Sequence, residues 1–429
     1  MDCKGVAWWK VAAAVVIIVI VVGVGVWYLF ANQQQQQIVA GEPIKVGIVL
    51  NLTGAMAPEC IRARMLLTAV VTQINAEGGI FLEGDGAYHS VHLIFYDGES
   101  NTQRFVELAT KMITEKEVHI MTTIGAPTAA VPTCIQAEKI GGIPLVMGLA
   151  LDTMRDQALP SVPGNKFTWT WHFSWYSEKM GQYWAACLSK YKPQTNGKLG
   201  VLYTDDANGR QSEIYVIPKL KEIGFTIVHP GLVPPGTTDF TPVITKFKEE
   251  GVEVVIVNVS ATEWIPFRRQ TASFGFKPKL IGVGRCMKIP EAEALGRELA
   301  EGIMVECWWW YKYPYPQSKE LKELWDRIAG DMPMTWAEGT TYARFQIMLE
   351  AVKKAGVLDR TAINNAMAKL DVMTPVGRAK FDPETHMCEH LITVGQFVYD
   401  TKTGKWDVNI VWAPEGSGIT PEPAIFPLP

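Results

Sequence analysis

KVGIVLN, Lys45 to Asn51, is an apolar, β-branched run that ends at the turn Thr53-Gly54. Such a run, lacking polar alternation, reads as a strand buried on both faces. Behind the turn, Ile61, Leu66, Ala69, Val70 and Ile74 recur at helical spacing until Gly78-Gly79 stops the helix. The same unit repeats outward: VHLIFYD (Val91 to Asp97), a helix face of Phe105, Leu108, Met112 and Ile113, then VHIMTTIG (Val118 to Gly125) and IPLVMG (Ile143 to Gly148). Short β-rich runs alternating with amphipathic helices build parallel sheets covered on both faces, so this region is a doubly wound α/β lobe.

A second series of the same kind starts at Lys198 with KLGVLYTDD and continues through TIVH, a helix from Phe240 to Glu250, VEVVIVNVS and KLIGVG. GIMVECWWWY follows Gly302, then helical stretches at Ser318 to Ala329, Trp336 to Ala355 and Thr361 to Leu370. The tail turns antiparallel, with GRAKFDP, then LITVGQFVYD and KWDVNIVWA around a turn at Thr401 to Gly404. Two α/β lobes imply a cleft between them, lined by loops at the carboxyl ends of the strands.

The 429 residues leave room for two or three domains, and 48% apolar with 20% charged residues is enough to bury a large core. A net charge of −4 excludes a basic nucleic-acid binder. Val11 to Phe30 carries no charge and as a helix extends about 30 Å, the thickness of the bilayer hydrocarbon. Lys4 and Lys10 precede it and the next basic residue is Lys45, which directs the N-terminus to the cytosol and the remainder outside. Trp27 to Phe30 crowd the exit where a cleavage site needs small residues, favouring a retained single-pass anchor. Gln33 to Gln37 then reads as a solvated stalk. The expected division is a cytosolic segment at 1–10, an anchor or uncleaved signal at 11–30 and a Gln-rich linker at 31–43. One lobe takes 44–170 plus 311–373, the other 171–310 plus 374–429. Of seven cysteines, Cys60, Cys134, Cys187, Cys286, Cys307 and Cys388 fall outside the cell, where disulfides can persist, though spacing does not give their connectivity.

IKVGIVLNLTG, INAEGGI, LIFYDGESN, AEKIGGIPLV, VLYTDDANGR, PPGTTDFTPVITKFKEEGVEVVIV, RRQTASFGF and TPVGRAKFD occur in this order between Ile44 and Asp382. With that order and spacing the chain resembles the type I periplasmic-binding-protein family, in particular the leucine-binding-protein-like receptors of ABC transporters for branched-chain amino acids, amides and urea. The resemblance implies two lobes joined by three crossovers, near Lys166 to Phe173, Cys307 to Tyr313 and Val372 to Gly377, closing on a small solute. It implies delivery to permease subunits and their ATPases, no cofactor and no enzymatic activity. A ligand-sensing domain working with a signalling partner is the alternative.

The same resemblance implies the site. Thr53 and Gly54 end the first strand, where backbone N–H groups could meet a ligand or simply form a turn. Ala126 and Thr128 occupy the loop where relatives hold a ligand carboxylate; Thr128 could equally serve only as a helix cap. Ala150 and Asp152 sit in the next loop, although Leu151 stands where relatives have threonine. Asn208 takes the place of a tyrosine, Ser260 with Ala261 that of a tyrosine pair, and Gly284-Arg285 that of the glutamate that pairs with the ligand ammonium. An unpaired charge in a closed cleft costs several kcal/mol, so ammonium recognition would fall to Asp152, Asp205, Asp206, Glu263 or an aromatic face. Trp175, Tyr176, Trp310 and Trp336 are candidates for stacking on a ligand, whereas Trp169, Trp171 and Phe173 could equally be core.

The run HMCEH (His386 to His390) is rich in metal-ligand side chains but is expected in a solvent-facing loop of the tail hairpin, so no metal is assigned. Asn51-Leu52-Thr53 and Asn258-Val259-Ser260 match the glycosylation triplet at strand ends facing the cleft, which argues against modification. No G-x-S-x-G elbow, phosphate-cradling glycine loop or HExxH appears.

Overall fold

The computed structural model describes residues 39–54, 56–115, 118–148 and 152–429. The expected anchor at 11–30, the glutamine stalk and Ala150 lie outside the described residues. Among the described residues no helix is long and apolar enough to cross a membrane.

Two sheets organise the chain. The first, all parallel, runs Met387–Glu389, Thr170–Ser174, Leu145–Met147, Ile120–Ile124, Ile44–Leu50, Val91–Asp97. The second runs Lys405–Trp412, Thr393–Asp400, Met304–Cys307, Leu280–Val283, Val254–Asn258, Lys198–Tyr203, Thr226–Val228, its first two strands antiparallel to their neighbours. Ile44–Leu50 lies between two parallel neighbours, and Ile44, Val46, Ile48, Val49 and Leu50 are all fully buried, which is why KVGIVLN shows no alternation.

The chain passes from the first sheet to the second after Ser174, leaves the second after Cys307 and returns to it after Glu389. Thr170–Ser174 and Met387–Glu389 thus reach beyond the expected lobe borders, both as strands of the first sheet. Helix Trp336–Ala355 lies on the first lobe, where Glu338 accepts from Arg62 Nε at 2.7 Å and Arg344 donates to the Thr123 carbonyl at 3.1 Å.

The HMCEH run corrects the expectation of a solvent-facing tail loop. His386, Cys388 and His390 are buried, because the strand Met387–Glu389, which holds Cys388 and is flanked by the two histidines, closes the edge of the first sheet against Trp171, whose ring stacks on His386 at 3.7 Å and 5°. Among the described residues no cluster is arranged to hold a metal ion. All six described cysteines are buried free thiols, and burial pushes Cys187, Cys286, Cys307 and Cys388 up to about 12.

Candidate functional site

A cavity of about 450 Å³ opens between the two sheets at the carboxyl ends of their strands. From the first lobe come Ile124, Gly125, Ala126 and Pro127, together with Met56, Glu59 and Ala63 and the helix residues Ala337, Thr340 and Thr341. Asn208, Asn258, Ser260, Ala261, Arg285, Lys288, Glu306 and Trp308 close the other side, and Trp175 with Met180 forms the wall near the first crossover. Two depressions of about 510 Å³ lie elsewhere, one between helices Ala57–Ala76 and Trp336–Ala355, the other behind the crossovers at Tyr183 and Trp412.

Local sequence fixes each wall. Helix Pro127–Ile140 starts with proline at its first position, following Ala126 in extended conformation. Helix Ala207–Glu222 is capped by Asp206, which accepts from the Gly209 backbone at 2.9 Å. Gly209 is required there, since a Cβ would lie 1.8 Å from the Thr204 carbonyl oxygen. Helix Ala261–Ser273 is capped by a Ser260–Glu263 box.

Five of the expected residues meet in this cavity: Ala126, Trp175, Asn208, Ser260 and Arg285. The other described candidates do not line it. Thr53 is exposed and donates to Asp97 Oδ2 at 3.0 Å, and Gly54 packs on Ser100. Thr128 is exposed on its helix. Asp152 is buried and accepts from the Ser177 backbone at 2.9 Å, capping helix Ser177–Ser189. Trp310 is buried with its Nε1 donating to Asp407 Oδ1 at 2.8 Å, and Trp336 is buried in the core. These two tryptophans fill the interior because their segments bury apolar surface against neighbouring elements, away from the cleft.

The carboxylates considered for an ammonium are engaged. Glu263 accepts from Thr204 Oγ1, Ser260 N and Gly236 N at 2.7 to 2.8 Å, Asp206 binds Arg285, and Asp205 binds Arg210 at 2.8 Å. Glu306 is the residue that sequence reasoning passed over, and Trp308 the member of the Trp308–Trp310 run that it did not single out. Glu306 is 4% exposed, and its Oε1 has no hydrogen-bond partner among the described residues. Burial pushes its carboxyl up to about 8. The signal was present in GIMVECWWWY: a lone charge in an apolar strand, with Met304, Glu306 and Trp308 sharing one face by the period of two.

Four more buried polar atoms at this cavity lack partners among the described residues: Trp175 Nε1, Trp308 Nε1, Arg285 Nε and Asn258 Oδ1. A buried polar group left unpaired costs about 1–3 kcal/mol, and five at one cavity mark a site for a polar occupant. Trp175 and Trp308 lie with ring centroids 4.7 Å apart at 33°, forming an aromatic wall. Across the cleft Glu59 and Lys288 pair, joining the lobes.

Two doubly wound lobes exchanging three chain segments around a polar cavity define the architecture of a two-lobed solute-binding protein. A family model described as "Periplasmic binding protein" matches residues 43–405, and the chain belongs to that family. A Leu/Ile/Val-binding protein homolog 7 of Brucella suis is 23% identical over 345 residues, 78% of this chain and 82% of that protein. A solute-binding protein of an ABC transporter from Rhodopseudomonas palustris, in complex with 3,4-dihydroxybenzoic acid, superposes with a TM-score of 0.69 at 20% identity, covering 87% of this chain and 96% of the other. A branched-chain amino acid transporter substrate-binding protein from Streptococcus pneumoniae, in complex with isoleucine, gives 0.69 at 18% identity, covering 86% and 99%. The relatives are binding proteins of transporters, not enzymes.

Proposed function

We propose that this protein is the extracytoplasmic receptor of an ABC importer, capturing a small organic solute between its lobes and presenting it to permease subunits driven by their ATPases. The observation that carries the reading is the cavity between the sheets, walled by both lobes and holding buried polar atoms without partners. A solute there would bridge the lobes and satisfy those atoms on closure, the hinge logic of such folds. The solved neighbours named above were bound to an aromatic acid and an amino acid, which supports a solute of that size class. Ala126, Trp175, Asn208, Ser260 and Arg285 stand as proposed contacts.

The apolar run Val11 to Phe30 supports a membrane tether that keeps the receptor beside its permease. Intact mass of the protein recovered from membranes tests that part: loss of the first thirty or forty residues removes it. Capture itself is tested by small-angle scattering and thermal shift over a panel of amino acids, amides, amines, sugars and aromatic acids. A solute that raises the melting temperature and lowers the radius of gyration supports the reading; a panel in which nothing does either counts against both import and sensing. Restored uptake in a receptor-deficient strain carrying the cognate permease separates import from sensing.

A further inference from the structure

The charges that share the cavity are unevenly matched. Arg285 is held by Asp206 and Lys288 by Glu59, so both cations already face a carboxylate. Glu306 faces none among the described residues, and burial alone accounts for its raised affinity for a proton. His390, which packs on the edge of Trp175 at 5.3 Å, is held neutral by burial, its imidazole pushed down to about 4.

Beside Glu306 the hydrogen-bond network orients Asn258. The hydroxyl of Ser212 donates to the Asn208 carbonyl at 3.0 Å and has one proton to give, so Ser212 must accept from Asn258 Nδ2 at 2.6 Å. Asn258 therefore turns Oδ1 away as a second free acceptor. The two side chains flank Gly284: a Cβ there would lie 3.1 Å from Glu306 Oε2 and 3.2 Å from Asn258 Oδ1, so the bare glycine lets them stand close together. The Trp175–Trp308 wall lines the same cavity and offers ring faces to a cation.

We infer that the cavity selects a small organic cation, one bearing a primary ammonium or an amidinium and no carboxylate, seated on Glu306 and Asn258. This rests on the solute-capture reading and narrows it. A zwitterionic amino acid would place its carboxylate where both cations are already balanced by Asp206 and Glu59, leaving the neutral indole N–H groups and the remaining Nε–H of Arg285 to meet it, with no uncompensated positive charge. Those N–H groups suit a hydroxyl or carbonyl on the ligand body. Glu306 carries a proton in the empty cavity at neutral pH, and the incoming ammonium replaces it. Affinity therefore rises with pH, about tenfold per unit up to about pH 8.

The test is calorimetry on the full chain with phenethylamine, benzamidine, cadaverine and agmatine, against phenylalanine, phenylacetate and leucine. At least one amine should bind ten times more tightly than every carboxylate-bearing probe, release about one proton, and gain affinity between pH 6.5 and 8. Glu306→Gln should cut that affinity about 100-fold and erase the pH dependence. Gly284→Ala, whose methyl presses on Glu306 Oε2 and Asn258 Oδ1 and displaces both acceptors, should lower it as well. If phenylalanine, leucine or phenylacetate matches the best amine, or if Glu306→Gln binds as the parent does, the cation assignment falls while capture stands. If another solute class closes the lobes and no amine binds, the outcome is the same. If no solute closes them, the capture reading falls with it.

Discussion

The two rims of the cleft differ in kind. The first lobe presents Ile124, Gly125, Ala126, Pro127 and Ala63, small or apolar surfaces, whereas the second presents Asn258, Glu306 and the Trp308 indole, whose buried polar atoms lack partners among the described residues. Similar strand-turn-helix units build both sheets, so the difference lies in what the strand ends carry rather than in the fold. The contrast predicts that selectivity resides in the second lobe and that the first, which meets it through Glu59 and Lys288, serves as a lid.

The sharpest way to break that comparison is mutation of one rim at a time. Trp308→Ala removes an aromatic face and a free indole donor and should weaken solute binding about 100-fold, near 3 kcal/mol. Ala126→Ser on the opposite rim should change it less than threefold. Equal losses measured by calorimetry would erase the distinction between selector and lid.

Next in size is the effect of pH on the empty protein. Glu306 has a folded-state pKa raised from 4.5 to about 8, so its contribution is complete below about pH 4.5 and is lost as the pH climbs to 8. His390, lowered from 6.5 to about 4, acts oppositely between those two values, its contribution rising with pH. The two offset one another at mildly acidic pH, and above 6.5 Glu306 acts alone. Urea melts should show a loss of about 2 kcal/mol between pH 6.5 and 8, and Glu306→Gln should flatten it. A slope that survives in that variant would assign it to other groups.

Trp310 sharpens the comparison from outside the cavity. Trp310→Phe deprives Asp407 of its indole donor and should cost about 1–2 kcal/mol of stability with solute affinity unchanged. A drop in affinity would draw the second crossover into the site. Smaller still is the bridge between the lobes. Glu59 and Lys288 are partly exposed, so Glu59→Gln should weaken binding by about 1 kcal/mol or less and favour the open form, visible as a larger radius of gyration with ligand at subsaturating concentration.

The three adjacent tryptophans show how far the residues themselves could be read. Trp308, Trp309 and Trp310 have the same chemistry, and composition alone marks all three as candidates. Trp309 Nε1 donates to Ser318 Oγ at 3.3 Å and Trp310 to Asp407, leaving Trp308 as the indole without a partner among the described residues. Strand alternation from Glu306 selects Trp308, so this part of the site was legible once the lone glutamate was taken as the reference. Asp152, by contrast, looked like an available acid from its loop position and proved to be a helix cap, because its partner Ser177 is brought beside it by the first crossover.

Periodicity determined the two α/β lobes, the antiparallel tail and the order of most strands, since burial on one or two faces imprints itself on neighbouring residues. The same reasoning could not say which polar side chains find partners. Glu306 and Asn258 lie on separate strands that flank Gly284, and Glu59 meets Lys288 across 229 positions of sequence. Whether a carboxylate is satisfied or left free depends on distances between residues remote in the chain, and those are set only when the sheets assemble and the lobes face each other.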